Sequence, residues 1–260
     1  GSQWLAVDPL FVARHMTLCD ELLYHGVTHN HLLSYAWSAC QDFGSPGKML
    51  DAQLQRASAP LLEVTQRFND TANVVSSAVV GTAPLFERAA LIAHFVAVAL
   101  ELRKLHNYNG VMAVLAGLGN AAVHRLRCSK SRISRQARAD WESLSRFMLQ
   151  SAHKEYRTAL AQQRRSPPFI PYLGVHLTDL TFIGEGNKDH VGGAINVGKR
   201  QQVHATISAC LAGRTERYAF RALPGLTRML EAAPRRSEEQ LYQESLLREP
   251  RGAKLEDLEE

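Results

Sequence analysis

In Ile183-Gly184-Glu185-Gly186-Asn187, one acid lies between two glycines at the end of the apolar run that begins at Pro171. No second acid, histidine or cysteine stands beside it, so acid–base work on a covalent bond lacks its partner group. A lone carboxylate can still repel an anion, pair with a cation, or end a loop between flexible residues. Other patterns invite chemistry and fall short of it. Gly117-Leu118-Gly119-Asn120-Ala121-Ala122 fits the dinucleotide fingerprint, with Asp140 near the spacing of a ribose acid. That fingerprint works only where a strand meets a helix. The run before it reads helical, so a tightly packed helix end explains the glycines better. Gly193 to Arg200 approaches a phosphate-binding loop, but Arg200 stands where a magnesium-holding hydroxyl is needed. Ser76 and Ser77 lack a nucleophile elbow.

Metal and disulfide chemistry are equally thin. Cys19, Cys40, Cys128 and Cys210 form no C-x-x-C pair, which favours buried free thiols in a reducing compartment. His25, His29 and His31 have no cysteine or repeated acid at ligand spacing, so neither a metal nor a cofactor is expected.

The elements that must position these residues are helical. The chain has 260 residues, 45% hydrophobic and 21% charged, with a formal charge of +5. This is ordinary globular composition with a mild basic excess. Ala89–Leu105 is apolar all round its early turns, as a central buried helix is. Val111–Leu118 is a second apolar element, and Leu61–Val80 a third helix with Gly81 as its stop. Trp141–Leu160 carries a further helical stripe. Breaks are expected at Gly44–Lys48, at the basic Arg127–Arg138 and at Arg164–Pro168, the last two as loop or linker. The run from Ala89 to Leu102 is interrupted by His94 and Glu101, which argues against a membrane span. Gly1-Ser2 reads as a cloning remnant with no signal peptide, and a cytoplasmic protein is expected. The fold expected is all-α: one domain over residues 8–251, after a leader (1–7) and before an acidic tail (252–260).

Long motifs then assemble in one order. They are Phe68–Val80 (FNDTANVVSSAVV), Glu87–Leu126, Pro168–Asn187, Ile195–Arg200 (INVGKR) and Leu241–Arg251 (LYQESLLREPR). Together with Asp8–Trp37 they resemble the catalytic (CDC25-homology) domain of Ras-family guanine nucleotide exchange factors, over nearly the whole chain. The resemblance implies a single large helical domain with a protruding helical hairpin. A helix around Gly174–Glu185 and a returning helix from Ile195 would build that hairpin. It implies binding to a Ras- or Rap-like small GTPase, held most tightly without nucleotide, and release of its GDP so that GTP can bind. Glu185 falls at the family's acidic position, which approaches the site vacated by phosphate. Thr181 falls where a side chain intrudes on the magnesium site. Phe68, Met112 and Tyr172 match an apolar groove for the GTPase, with Asn69 and His124 as polar contacts at its rim and Asn187 also on the GTPase side. Lys199 and Arg200 support the hairpin or meet acidic residues of the GTPase. Asn107 and Asn109 match amides that brace the hairpin. No covalent chemistry, nucleic acid or membrane insertion is implied, and recruitment to membranes would come through other domains or the GTPase.

Some positions depart from that pattern. Val74-Val75 replace a common tryptophan, Gln201 and Gln202 thin a basic cluster, and Gly192-Gly193 suggest a looser hairpin tip. The family's helical companion module is not in this chain, so a larger protein is expected. Two functions therefore stand: an active exchange factor, or a module on the same fold that docks a GTPase or adaptor without catalysis. Nucleic-acid binding through Arg127–Arg138 has charge behind it but no interleaved aromatics.

Overall fold

A computed structural model describes residues 2–34 and 52–258. Fourteen α-helices, three short 3-10 helices and one short hairpin of strands order these residues. The first three helices are α1 (Ser2–Leu5), α2 (Pro9–Gly26) and α3 (His29–Leu33). Asp8 opens α2 by accepting from the Leu10 amide, ahead of a proline at the first helical position. Next come α4 (Ala52–Gly81), α5 (Leu85–Lys104) and α6 (Tyr108–Gly119), which build the centre. The middle of α5 is apolar nearly all round because it is enclosed: Leu91, Ile92, Phe95, Val98, Ala99 and Leu102 are all buried, with α2, α6 and α9 (Arg135–Leu149) around it. The α4 and α6 helices approach closely at Gly117. A Cβ there would stand 2.5 Å from the Ala72 carbonyl, so the glycine serves helix packing and not a cofactor.

Shorter pieces complete the body: α7 (Ala121–His124), α8 (Arg127–Ser131), α10 (Lys154–Gln163), α13 (Pro224–Glu231) and α14 (Glu238–Arg248). The hairpin consists of α11 (Leu173–Gly186), strands β1 (His190–Val191) and β2 (Ala194–Ile195), and α12 (Val197–Leu211). Its returning helix thus begins at Val197, and Ile195 belongs to β2. Gly192 and Gly193, both at positive φ, close the two-residue turn that pairs His190 with Ile195. A second apolar cluster seats the base of this hairpin, joining Leu180, Val203 and Ile207 to Tyr24, Leu32 and Leu61.

Several expectations need correction. Arg127–Arg138 is not a loop, because α8 occupies its first part and α9 its last. The cap of α8 comes from far along the chain: the Glu249 carboxylate accepts from the Cys128 and Ser129 amides at 2.9 and 2.8 Å. Trp141–Leu160 is not one helix. It breaks after Leu149 at Ser151, Ala152 and His153, all with φ between 51° and 63°. Trp4, from the segment read as leader, is buried against Phe95, with ring centroids 5.3 Å apart. Cys19, Cys128 and Cys210 are free thiols, but only Cys210 is fully buried. Gly44–Lys48 and Cys40 lie outside the described residues. Among the described residues no helix is long and apolar enough to cross a membrane, and no three metal-binding side chains converge.

Candidate functional site: a groove and a stapled hairpin

The segment that feeds the hairpin is fixed first. Ile170 donates to the His106 carbonyl at 3.0 Å, and its own carbonyl accepts from Tyr108 at 2.9 Å. Between those two lies Asn107, fully buried. Its side chain donates to Thr17 (3.2 Å) and Asp20 (2.8 Å) and accepts from the Gly110 amide (2.8 Å), capping α6. Burial raises the Asp20 carboxyl, and the nearby Arg67 guanidinium opposes that shift. The Asn107 side chain thus ties α6 to α2, while the backbone of its two neighbours pairs with Ile170 before α11.

Between α4 and α11 lies a groove of about 790 Å³, lined by Phe68, Asn69, Asn109 and Tyr172 among others. Phe68 and Tyr172 stack with centroids 5.8 Å apart. The Tyr172 ring folds back over its own helix at Gly174, where a Cβ would lie 2.6 Å from it. The Tyr172 amide donates to the buried Tyr156 hydroxyl at 3.0 Å. Asn109 is buried at the groove, whereas Asn69 is exposed at its edge. Met112, one turn beyond Asn109 on α6, is half-buried against the main core and does not line the groove. His124 is exposed at the end of α7, where its carbonyl accepts from Lys130, and it too lies off the groove.

The hairpin arm carries the rest. Thr181 is half-buried, its hydroxyl donating back to the Leu177 carbonyl at 3.1 Å. Glu185 sits one turn later in the last turn of α11, exposed, with no hydrogen bond or ion pair among the described residues. Lys199 has turned inward. Its ammonium donates to the Gly184 and Asn187 carbonyls at 2.9 and 2.7 Å and lies 3.2 Å from Asp189. A cation thereby satisfies the carbonyls that the end of α11 leaves open. The Asn187 amide group donates to the Ile183 carbonyl at 3.1 Å, adding a second closure. Arg200 stays exposed and pairs with Asp189, whose carboxyl Lys199 and then Arg200 hold below its usual range. Asn196 opens α12 by accepting from the Lys199 amide and ties the crossing by donating to the Lys188 carbonyl. The arm is thus stapled at its end, and its one uncommitted carboxylate points outward.

Four side chains were passed over in the sequence. Leu177 and Thr178 line the groove on α11, and Phe182 is 68% exposed on the same helix. A helical projection finds two of them: Thr178, Phe182 and Glu185 follow at i, i+4 and i+7 and share the outward face. The fourth is Asp179, paired with Arg157 on α10.

A family model described as RasGEF domain matches residues 11–201, which takes in the groove, α11 and the turn into α12. The chain belongs to the RasGEF domain family. Its relatives agree with that assignment. This RasGEF domain is 32% identical over 249 residues to Ras guanine nucleotide exchange factor J of Dictyostelium discoideum, covering 95% of this chain and 29% of the relative. Factor I of the same organism is also 32% identical, with 95% and 28% covered. Factor P is 34% identical over 250 residues, with 94% and 16% covered. The chain therefore spans less than a third of the length of these relatives.

Proposed function

We propose that this RasGEF domain binds a Ras- or Rap-like small GTPase and speeds release of its GDP, so that GTP can take the site. The observation that carries the reading is the free, exposed Glu185 carboxylate on a stapled arm beside an apolar groove. Bound nucleotide in such GTPases is held through its phosphates by a lysine, a hydroxyl, backbone N–H groups and magnesium. A carboxylate brought to that place repels phosphate and pairs with the lysine once phosphate has left. No proton is transferred, which is why no second acid or histidine accompanies it. Thr181, in this reading, faces the magnesium site with Phe182 supplying apolar bulk beside it. Phe68 and Tyr172 offer the GTPase a stacked apolar platform, with Asn69 at the edge. Met112 and His124 would extend the contact along α6 and α7, and Arg200 would meet acidic residues of the partner. Lys199, Asn187, Asn107 and Asn109 act by holding the frame.

Exchange follows from reciprocal coupling. A factor that binds the nucleotide-free GTPase most tightly weakens nucleotide by the same factor that nucleotide weakens it. A picomolar nucleotide represents about 16 kcal/mol of binding, so a broad interface must act together with the arm. The direction of exchange is set by which nucleotide is abundant. The test is release of a fluorescent guanine nucleotide from Ras- and Rap-type GTPases. The wild-type domain accelerates it, and Met112→Asp abolishes the acceleration by placing a charge in the contact. Binding of nucleotide-free GTPase without acceleration would mark a docking module instead.

A further inference from the structure

We infer that Arg157 is a positioning residue for exchange: it ties the left-handed turn before α10 to the hairpin arm and so fixes where Glu185 points. The inference rests on the exchange reading above. Ser151, Ala152 and His153 follow one another at φ of 51°, 51° and 63°, and none is glycine. Non-glycine residues are strained in that region, so the turn persists only where its surroundings hold it. The His153 amide donates to Gln150 at 3.0 Å, and its ring lies 6.3 Å from that of Tyr172.

Arg157 joins this turn to the arm. Its Nε donates to the Ala152 carbonyl at 3.3 Å. Its two terminal nitrogens grip both oxygens of Asp179 at 2.7 and 2.9 Å. The neighbouring Tyr156 accepts from the Tyr172 amide at the start of α11. The α10 helix therefore holds α11 at two residues, Tyr172 and Asp179, separated by about 10 Å of helix. One attachment makes a pivot; two set a direction. Glu185 lies about 9 Å further along the same helix. Beyond Asp179 the hydrogen bonds and ion pairs of α11 run to α12 and the turn. The α12 helix is itself seated on the body at its far end, where the Cys210 carbonyl accepts from the Tyr24 hydroxyl at 2.7 Å and Val203 and Ile207 join the cluster of Leu32 and Leu61. Leu180 seats the arm on apolar neighbours, but an apolar contact fixes angle less strictly than a planar fork does. The Arg157–Asp179 pair is partly exposed, so it contributes little to global stability. Its loss redirects the arm and leaves the body folded.

The experiment measures nucleotide release at varied GTPase concentration for wild type, Arg157→Ala, Asp179→Asn and the double variant, together with amide hydrogen exchange. Each single variant lowers kcat about tenfold with KM unchanged, and the double variant falls no further, because both changes cut one tie. Arg157→Lys does not restore kcat, since an ammonium lacks the fork. Amides of Leu173–Gly186 exchange faster in the variants, while those of α5 and α6 do not change. Single variants within about twofold of wild type, losses that multiply in the double variant, or unchanged α11 exchange would each overturn the inference. A wild-type domain that releases no nucleotide overturns the exchange reading and takes this inference with it.

Discussion

The α4–α5–α6 centre and the α11–α12 hairpin are both helical, yet they are held by different forces. In the centre, Leu91, Ile92, Phe95, Val111, Val114 and Leu118 are buried almost completely, and hydrophobic burial does the work. The outer half of the hairpin exposes Phe182, Val191, Ile195 and Val197 and is closed by Lys199, Asn187 and Asn196. A body built on burial tolerates little change of side-chain volume. An arm built on polar staples can present apolar and acidic groups outward without unfolding. The contrast is that of a projecting arm on a close-packed body.

The contrast breaks most readily at Phe95. Phe95→Ala should cost about 3–5 kcal/mol, through lost burial and the cavity left beside Trp4. Thermal unfolding checks this, and a loss below about 1 kcal/mol would mean that the centre is looser than its packing indicates.

His176 sharpens the comparison at the hairpin's root. Burial lowers its imidazole to about 4, with Asp179 opposing and Arg157 and Arg164 reinforcing the shift. The unfolded chain therefore binds this proton more readily between pH 6.5 and about 4. Stability from this group is complete above pH 6.5 and is lost as pH falls through that window, by up to about 3 kcal/mol. His15, His25, His94 and His106 are lowered as well, mainly by burial, and steepen the same limb. Urea unfolding across pH 4–7 should be less pH-dependent in His176→Phe than in wild type. Parallel curves for the two proteins would remove His176 from the account.

Lys199→Met tests the staple. It leaves the Gly184 and Asn187 carbonyls without their charged donor, at a cost of about 1–3 kcal/mol. The loss should be local, seen as faster amide exchange in Leu173–Gly186 with the α5 amides unchanged. At the hairpin tip, Gly192→Ala has ample space but must adopt a φ of 59°, which should cost about 1 kcal/mol.

What was legible in the sequence divides along the same line. The centre declared itself through residues such as those of Ala89–Leu105, because burial leaves a pattern in side-chain type that needs no knowledge of partners. The hairpin's helices were legible from the motifs they share with the family. Its staples were not: nothing near Lys199 indicates that its ammonium closes carbonyls twelve and fifteen residues earlier. The same reason explains α8, whose N-terminal cap is Glu249, more than a hundred residues later. The break at Ser151–His153 carries no glycine and no proline, so local rules read through it. Thr178 and Phe182 were recoverable from helical spacing alone, once the limits of α11 were known.

The most direct test compares nucleotide release by wild type and Glu185→Ala on the GTPase that wild type serves best. Glu185 is exposed and makes no hydrogen bond or ion pair among the described residues, so the variant should unfold at the wild-type temperature. Its release rate should fall about tenfold or more, the loss of one charged contact formed as phosphate leaves. An unchanged rate from an equally stable variant would contradict the account, because the acid at the end of the arm would then do no work on the nucleotide.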